Sequence, residues 1–160
     1  MEMDSDVRRY VGGRPRTREE AEKRFNGTLQ AVKGNLSMWA TILKAAGRYI
    51  GRCGIYPHFN DDGNPIRGEA SLGLYIAKAY WNKGFATEAG RAFMAFGFNE
   101  IGLNRIVTAI DTRNAASIKV VEQLGMELTR TETGESRSFF HYAINRDRYY
   151  DFSKVEKSDL

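Results

Sequence analysis

Asn82, Lys83 and Gly84 stand between an apolar run, Leu72-Gly73-Leu74-Tyr75-Ile76, and a segment that takes up helical spacing at about Ala86-Thr87. A strand, a tight glycine turn and a helix in that order make an anion site. The first turn of a helix leaves backbone N–H groups unpaired, and the helix dipole concentrates partial positive charge on them. A pyrophosphate fits that end, and Lys83 adds a full charge. Gly84 lets the backbone turn sharply and approach a phosphate with no side chain between them. Two phosphate loops are excluded by spacing: the chain has no GxxxxGK[ST] and no GxGxxG after an early strand. A plain strand–turn–helix connection uses the same residues, and this stretch alone leaves that choice open.

Little else reads as reactive. Cys53 is the only cysteine, so no intrachain disulfide forms, and its apolar surroundings, Tyr49 to Ile55, suit a buried strand thiol rather than a nucleophile. His58 and His141 are lone histidines, and with one cysteine they make no metal-ligand cluster, so no metal is expected. The net charge of +4 suits an anionic ligand without requiring nucleic acid. Arg14, Arg16 and Arg18 run straight into Glu19, Glu20 and Glu22, the pattern of a solvated helix start. No stretch approaches the ~18 apolar residues of a membrane span, and MEMDSDV has no apolar core of a leader, so no membrane partner and a cytoplasmic setting are expected.

The elements that would position the turn follow from periodicity. With 160 residues, 42% of them hydrophobic and 28% charged, the chain suits one soluble domain, 1–160, with residues 1–9 and 152–160 expected to be flexible. Thr17-Arg18-Glu19-Glu20 is a capping box, and Ala21, Phe25, Leu29 and Val32 continue at helical spacing, predicting a helix over 18–33 whose apolar face packs on a sheet. Strands are expected over 39–44 and 48–56, joined at Ala45-Ala46-Gly47. Residues 57–68 (PHFNDDGNPIRG) read as a long loop, either shaping a substrate mouth or simply solvated. A central strand, 69–76, puts Glu69, Ser71, Gly73 and Tyr75 on one face and Ala70, Leu72, Leu74 and Ile76 on the other. A helix over 87–99, loosened by Gly97, ends at Gly102. A strand over 105–111 leads to a helix capped by Asn114 and stopped by Gly125, then strands over 127–131 and 139–144 and a charged, fraying tail from 155. Helix, hairpin, strand, helix, strand, helix, hairpin is an α/β layer fold with a mixed sheet.

The stretch AYWNKGFATEA resembles the acetyl-CoA pyrophosphate loop of the GNAT N-acetyltransferases, and especially the RimJ/RimL-type subfamily of ribosomal-protein alanine acetyltransferases, which usually shows YWGKGYATEA here. Asn82 and Phe85 are mild departures, and Trp81 points to the subfamily. RYVGGRPRTREEAEKRF, Asn114-Ala115-Ala116-Ser117 with Leu124-Gly125-Met126, and FFHYAINRDRYY are similar to further family segments in the same order, so the resemblance spans about 130 residues. It implies a mostly antiparallel twisted GNAT-like sheet with helices on both faces. Family members open with a TERLxLRPL-like strand and a helix ahead of the Tyr10 segment. This chain shows neither, as if its reading frame began late or something else covered the edge beside strand 39–44. An uncovered edge invites pairing with another chain, so a homodimer is expected.

The resemblance also implies roles. The pantetheine arm of acetyl-CoA would lie in a gap between the strand ending at Ile76 and strand 105–111, on backbone groups of Leu74, Tyr75, Ile76 and Ala77. The pyrophosphate would sit on Asn82, Lys83, Gly84, Phe85, Ala86 and Thr87, with Trp81 lining the cleft. An N–H near Tyr75 or Ile76 would stabilise the oxyanion. Glu69 is the expected base, acting through water, and equally reads as a solvated strand charge. Relatives place a Tyr on the fourth helix where this chain has Val121. Ser117, one turn earlier, is the expected donor to the leaving thiolate or else serves the helix start, and Asn114 holds the cofactor arm or caps. The implied reaction moves an acetyl group to a primary amine, either a ribosomal-protein N-terminus or a small molecule, without a covalent enzyme intermediate. A non-catalytic module that binds coenzyme A or a protein is the alternative. A nucleic-acid binder has little support.

Overall fold

A computed structural model describes residues 1–31 and 34–158. Six strands form one open sheet in the order β1-β2-β3-β4-β6-β5. They are β1 (Ser37–Leu43), β2 (Arg48–Phe59), β3 (Pro65–Ile76), β4 (Arg105–Asp111), β5 (Glu127–Thr133) and β6 (Ser138–Asn145). Every neighbouring pair is antiparallel except β3 and β4, which run parallel. Such a parallel pair needs a crossover, supplied here by α3 (Phe85–Ala95) and a π-helical turn over Phe96–Ile101. The remaining helices are α1 (Ser5–Arg8), α2 (Arg18–Ala31), α4 (Ala115–Gln123) and α5 (Arg146–Ser158).

The core lies on one face of the sheet, where Ile55, Ala70, Leu72, Ile106 and Ile144 meet Met94 and Phe98 from the crossover and Val121 and Leu124 from α4 and its end. On the face read as apolar, Ala70, Leu72 and Ile76 are buried and Leu74 partly so, while Gly73 on the opposite face is buried as well, under Met38 and Tyr56. Gly97 lies in the π turn, where the crossover comes close to the sheet. A Cβ on it would lie 3.0 Å from Ile55 and 3.1 Å from both Ile106 and Leu103, so a side chain there would press on three core side-chain ends. The expected regular helix over 87–99 is an α-helix that ends at Ala95 and a π turn beyond it.

Several expectations are corrected. Residues 57–68 are not a long loop: β2 runs on to Phe59 and β3 starts at Pro65, leaving only 60–64 as the turn. Asn60 closes that turn, its Oδ1 accepting from the Asn64 N–H at 2.9 Å. Pro57, read as a breaker, sits beside a slip in the β2–β3 register, where a missing ladder donor is tolerated. The first nine residues include the short helix α1. Asp4 caps α1, and Glu2 and Asp6 are ion-paired to the body of the protein. A last helix that the sequence pattern did not predict, α5, runs to Ser158, with Phe152 packed against Gly125 and Tyr149 stacked on Phe98 at 4.7 Å. The Thr17–Glu20 capping box forms, but Phe25 on α2 is 62% exposed, so the apolar face proposed for that helix is not buried there. Residues 32–33 of the proposed helix, and the side chains of Leu29 and Val32, lie outside what is described.

Candidate active site

β3 and β4 pair over only three residues, Glu69↔Arg105, Ala70↔Ile106 and Ser71↔Val107. Thr108 Oγ1 then donates to the Leu72 carbonyl at 3.2 Å, and beyond that point the register ends. β3 continues to Ile76 and β4 to Asp111, so a V-shaped gap opens toward the ends of both strands.

Strand parity decides which backbone groups face this gap. The Ala77 N–H donates to the Ile50 carbonyl at 2.8 Å, so Ala77 and, two residues earlier, Tyr75 spend their backbone groups on β2. Leu72, Leu74 and Ile76 point theirs the other way, as the bond from Thr108 to Leu72 requires. The Ile76 carbonyl is taken by the indole N–H of Trp81 at 2.7 Å. Of the four residues expected to hold an extended arm, Leu74 and Ile76 therefore offer hydrogen bonds to the gap, while Tyr75 and Ala77 do not. Trp81 acts by fixing the strand end.

The turn after β3 leads straight into the mouth of that gap. Asn82 has φ 57° and Gly84 φ 79°, two left-handed residues that reverse the chain. Gly84 is the N-cap of α3, and no side chain caps this end. The first helical bond is from the Glu88 N–H to the Gly84 carbonyl, which leaves the N–H groups of Phe85, Ala86 and Thr87 as the helix's unpaired donors. A Cβ added at Gly84 would meet nothing within 4 Å, so the turn is open at that residue. Lys83 is exposed, with Nζ bonded to the Ala79 carbonyl at 3.1 Å and resting 5.5 Å from the Tyr80 ring centroid. Phe85 packs edge-on to Tyr80. Thr87 Oγ1 reaches Gln123 Oε1 at 3.3 Å, which ties α3 to α4.

The other wall is the start of α4. Asn114 is its N-cap and accepts the Ser117 N–H at 3.3 Å, as its spacing predicted. The loop that presents it is organised by Asp111, whose side chain is fully buried. Arg113 binds it through Nε and Nη2 at 2.8 and 2.7 Å, and Arg137 approaches at 3.9 Å. The Arg113 hydrogen bonds outweigh burial and hold the Asp111 carboxyl at about 2. Val121, the position that the family resemblance sets against a Tyr, is buried in the core.

Glu69 lies elsewhere. It pairs with Arg105 at 3.6 Å at the closed end of the strand pair, seven residues and about 23 Å along the strand from Ile76. The structure therefore does not bring Glu69 and Ser117 together. Nearer the apex is a contact the sequence did not disclose: His58 Nδ1 lies 3.0 Å from Ser71 Oγ, on the last residue of β3 paired to β4. Only the extension of β2 through His58 makes this contact. Cys53 is fully buried, and burial pushes its thiol pKa up, which suits the inert thiol expected of it. Among the described residues no three metal-ligating side chains come together, and no helix is long and apolar enough to cross a membrane.

Residues 1–127 match the family model described as Acetyltransferase (GNAT) domain. The chain belongs to the GNAT acetyltransferase family. The uncharacterized protein YkkB of Bacillus subtilis (strain 168) is 33% identical over 129 residues, covering 80% of this chain and 72% of YkkB. A GNAT-family acetyltransferase structure from Bacillus anthracis superposes with a TM-score of 0.77 at 24% identity over 91% of this chain and 85% of that one. The spermidine N-acetyltransferase of Vibrio cholerae, solved with CoA and spermine, shares the fold at TM-score 0.75 and 16% identity, covering 93% and 88% of the two chains. As a GNAT chain the protein is an acyltransferase.

Proposed function

We propose that this GNAT domain transfers an acetyl group from acetyl-CoA to a primary amine by direct attack. What carries this reading is one arrangement: the uncapped start of α3 opens onto the β3–β4 gap, into which Leu74 and Ile76 aim backbone groups with no partner strand. A diphosphate would lie on the amides of Phe85 to Thr87, within reach of Asn82 and Lys83, and an extended amide-bearing arm would bond to Leu74 and Ile76 as an added strand. Acetyl-CoA would supply an activated thioester. The amine nitrogen forms the new C–N bond, the C–S bond breaks, and the thiolate leaves with the electron pair. The Ile76 or Leu74 N–H is the donor for the oxyanion. Ser117 lies at the α4 wall and would pass a proton to the thiolate, which needs only a weak donor because a free thiol has a pKa of roughly 8.5. The amine's proton would go to water and along the polar face through Ser71 and His58 toward Glu69, since Glu69 is too far to take it directly.

The acceptor class is a protein N-terminus, as the RimJ/RimL-like loop suggests, or a small amine. β1 is an edge strand with Trp39 and Ile42 half exposed, which supports self-association into a homodimer. Turnover of acetyl-CoA with an amine panel, read by thiol release, tests the reading. Loss of turnover in Ser117→Ala with acetyl-CoA affinity kept supports it. Acetyl-CoA binding without turnover, insensitive to Ser117→Ala and Glu69→Gln, would instead make the chain a CoA-binding module of the same fold.

A further inference from the structure

The N-terminal segment brings three guanidinium groups to one carboxylate. Arg16 and Arg52 bind Glu2, the latter at 2.5 Å, and Arg8 stands 3.5 Å from it. None of the four is fully in solvent: side-chain exposure is 6% for Arg8, 23% for Arg16, 22% for Arg52 and 21% for Glu2. Three positive charges against one negative leave a local surplus of two in a place where water screens poorly. The group is also built to hold its shape. Arg8 Nε donates to the Arg14 carbonyl at 3.3 Å, and its guanidinium lies where a Cβ on Gly12 would stand, so Gly12 (φ 77°) must lack one.

The position of the cluster matters as much as its charge. Arg52 is the register partner of Tyr75, and its guanidinium lies 4.9 Å from the Tyr75 ring centroid. Tyr75 is on the half of β3 that has parted from β4, so the cluster stands beside the gap on the face opposite the core. We propose that Arg8, Arg16 and Arg52 form a cradle that selects amine acceptors carrying a carboxylate, with Glu2 as the internal counter-ion that the acceptor's carboxylate competes against. This rests on the acyl-transfer reading above. Guanidiniums match carboxylates in a forked geometry that a second carboxylate can share with Glu2. An α-amino acid brings its own neutralising charge, whereas a polyamine adds positive charge to a surplus. The same surplus favours the neutral, nucleophilic form of a nearby amine.

The test uses the full chain, acetyl-CoA, and leucine paired with leucinamide, which lacks the carboxylate. Wild type should favour leucine over leucinamide in kcat/KM. Arg52→Gln should lower that preference about tenfold. Glu2→Gln should raise it, a change of opposite sign that misfolding does not mimic. The KM for acetyl-CoA should stay within about twofold in both, since no cofactor phosphate is assigned to the cradle. Equal preference in all three proteins would make the cluster a structural staple only and overturn the proposal. So would a raised acetyl-CoA KM with the preference unchanged, or spermidine outcompeting leucine. Calorimetric titration with N-acetylleucine reads the cradle even without turnover. Binding weakened by Arg52→Gln and strengthened by Glu2→Gln would keep the cradle while the acyl-transfer reading fails, and no binding to any of the three would overturn it.

Discussion

Asp111 shows how one buried charge shapes the site. Its carboxyl is held at about 2 against an ordinary 3.8, first by the Arg113 hydrogen bonds. A lowered folded-state pKa contributes stability that is complete above about pH 4 and is lost as pH falls toward 2. That lowering corresponds to about 2.5 kcal/mol at most, and because Arg113 is 59% exposed the effective figure is about 1–2 kcal/mol. Asp111→Asn should therefore cost about that much in urea unfolding at pH 7, with the gap to wild type largely closed near pH 2. A gap that persists unchanged at pH 2 would show that the loss is packing rather than charge. The sequence did not disclose this: Asp111 and Arg113 are near neighbours, but no motif marks the pair, and only the fold buries the carboxylate with the Arg113 guanidinium hydrogen-bonded to it. Asn114 was legible because a cap acts on the backbone three residues away. Glu2 and Arg52 are fifty residues apart, so no local pattern joins them.

At the scale of elements, two glycines test the start of α3 and the end of β3 separately. Gly84 has φ 79° and open space around a would-be Cβ, so Gly84→Ala should cost only the left-handed strain, about 1 kcal/mol or ~3 °C in Tm. If the α3 start holds the diphosphate, a methyl on the residue that caps it should hinder the close approach, and acetyl-CoA affinity should fall tenfold or more. At Gly51, on β2, a Cβ would come within 2.2 Å of the Tyr75 carbonyl oxygen. That is backbone, which cannot rotate away, so Gly51→Ala should cost about 2 kcal/mol or more by displacing the end of β3. Thermal melts with and without acetyl-CoA separate the two. If Gly84→Ala binds acetyl-CoA normally, the α3 start is not the diphosphate site. The strand–turn–helix over 72–90 was readable because its cues are contiguous. The extension of β2 and β3 past Pro57 and Pro65 was not, since prolines and the Asn60–Asn64 cluster read as one loop until cross-strand pairing assigns most of it to the sheet. The final helix was missed for a related reason: its burial rests on Phe98 and Gly125, packed onto it from other elements.

For the molecule as a whole, the gap divides the sheet into β1–β2–β3 and β4–β6–β5, which share three register pairs and the core beneath. An arm bonded to Leu74 and Ile76 on one side and packed on β4 and α4 on the other would tie the halves together. Ligand that binds only the folded state stabilises by mass action, about 2.7 kcal/mol at a hundred times Kd, or roughly 5–11 °C in a chain of this size. The raised Tm alone would not say where the ligand sits. Strand parity does: the Ile76 and Leu74 amides face the gap and should exchange readily in the free protein, whereas the Ala77 amide, bonded to Ile50, should already be protected. Saturating acetyl-CoA should slow exchange at Leu74, Ile76 and Phe85 to Thr87 and leave Ala77 nearly unchanged. Stabilisation with new protection confined to other elements would place the ligand elsewhere and remove the basis for reading the splayed strands as the site of acyl transfer.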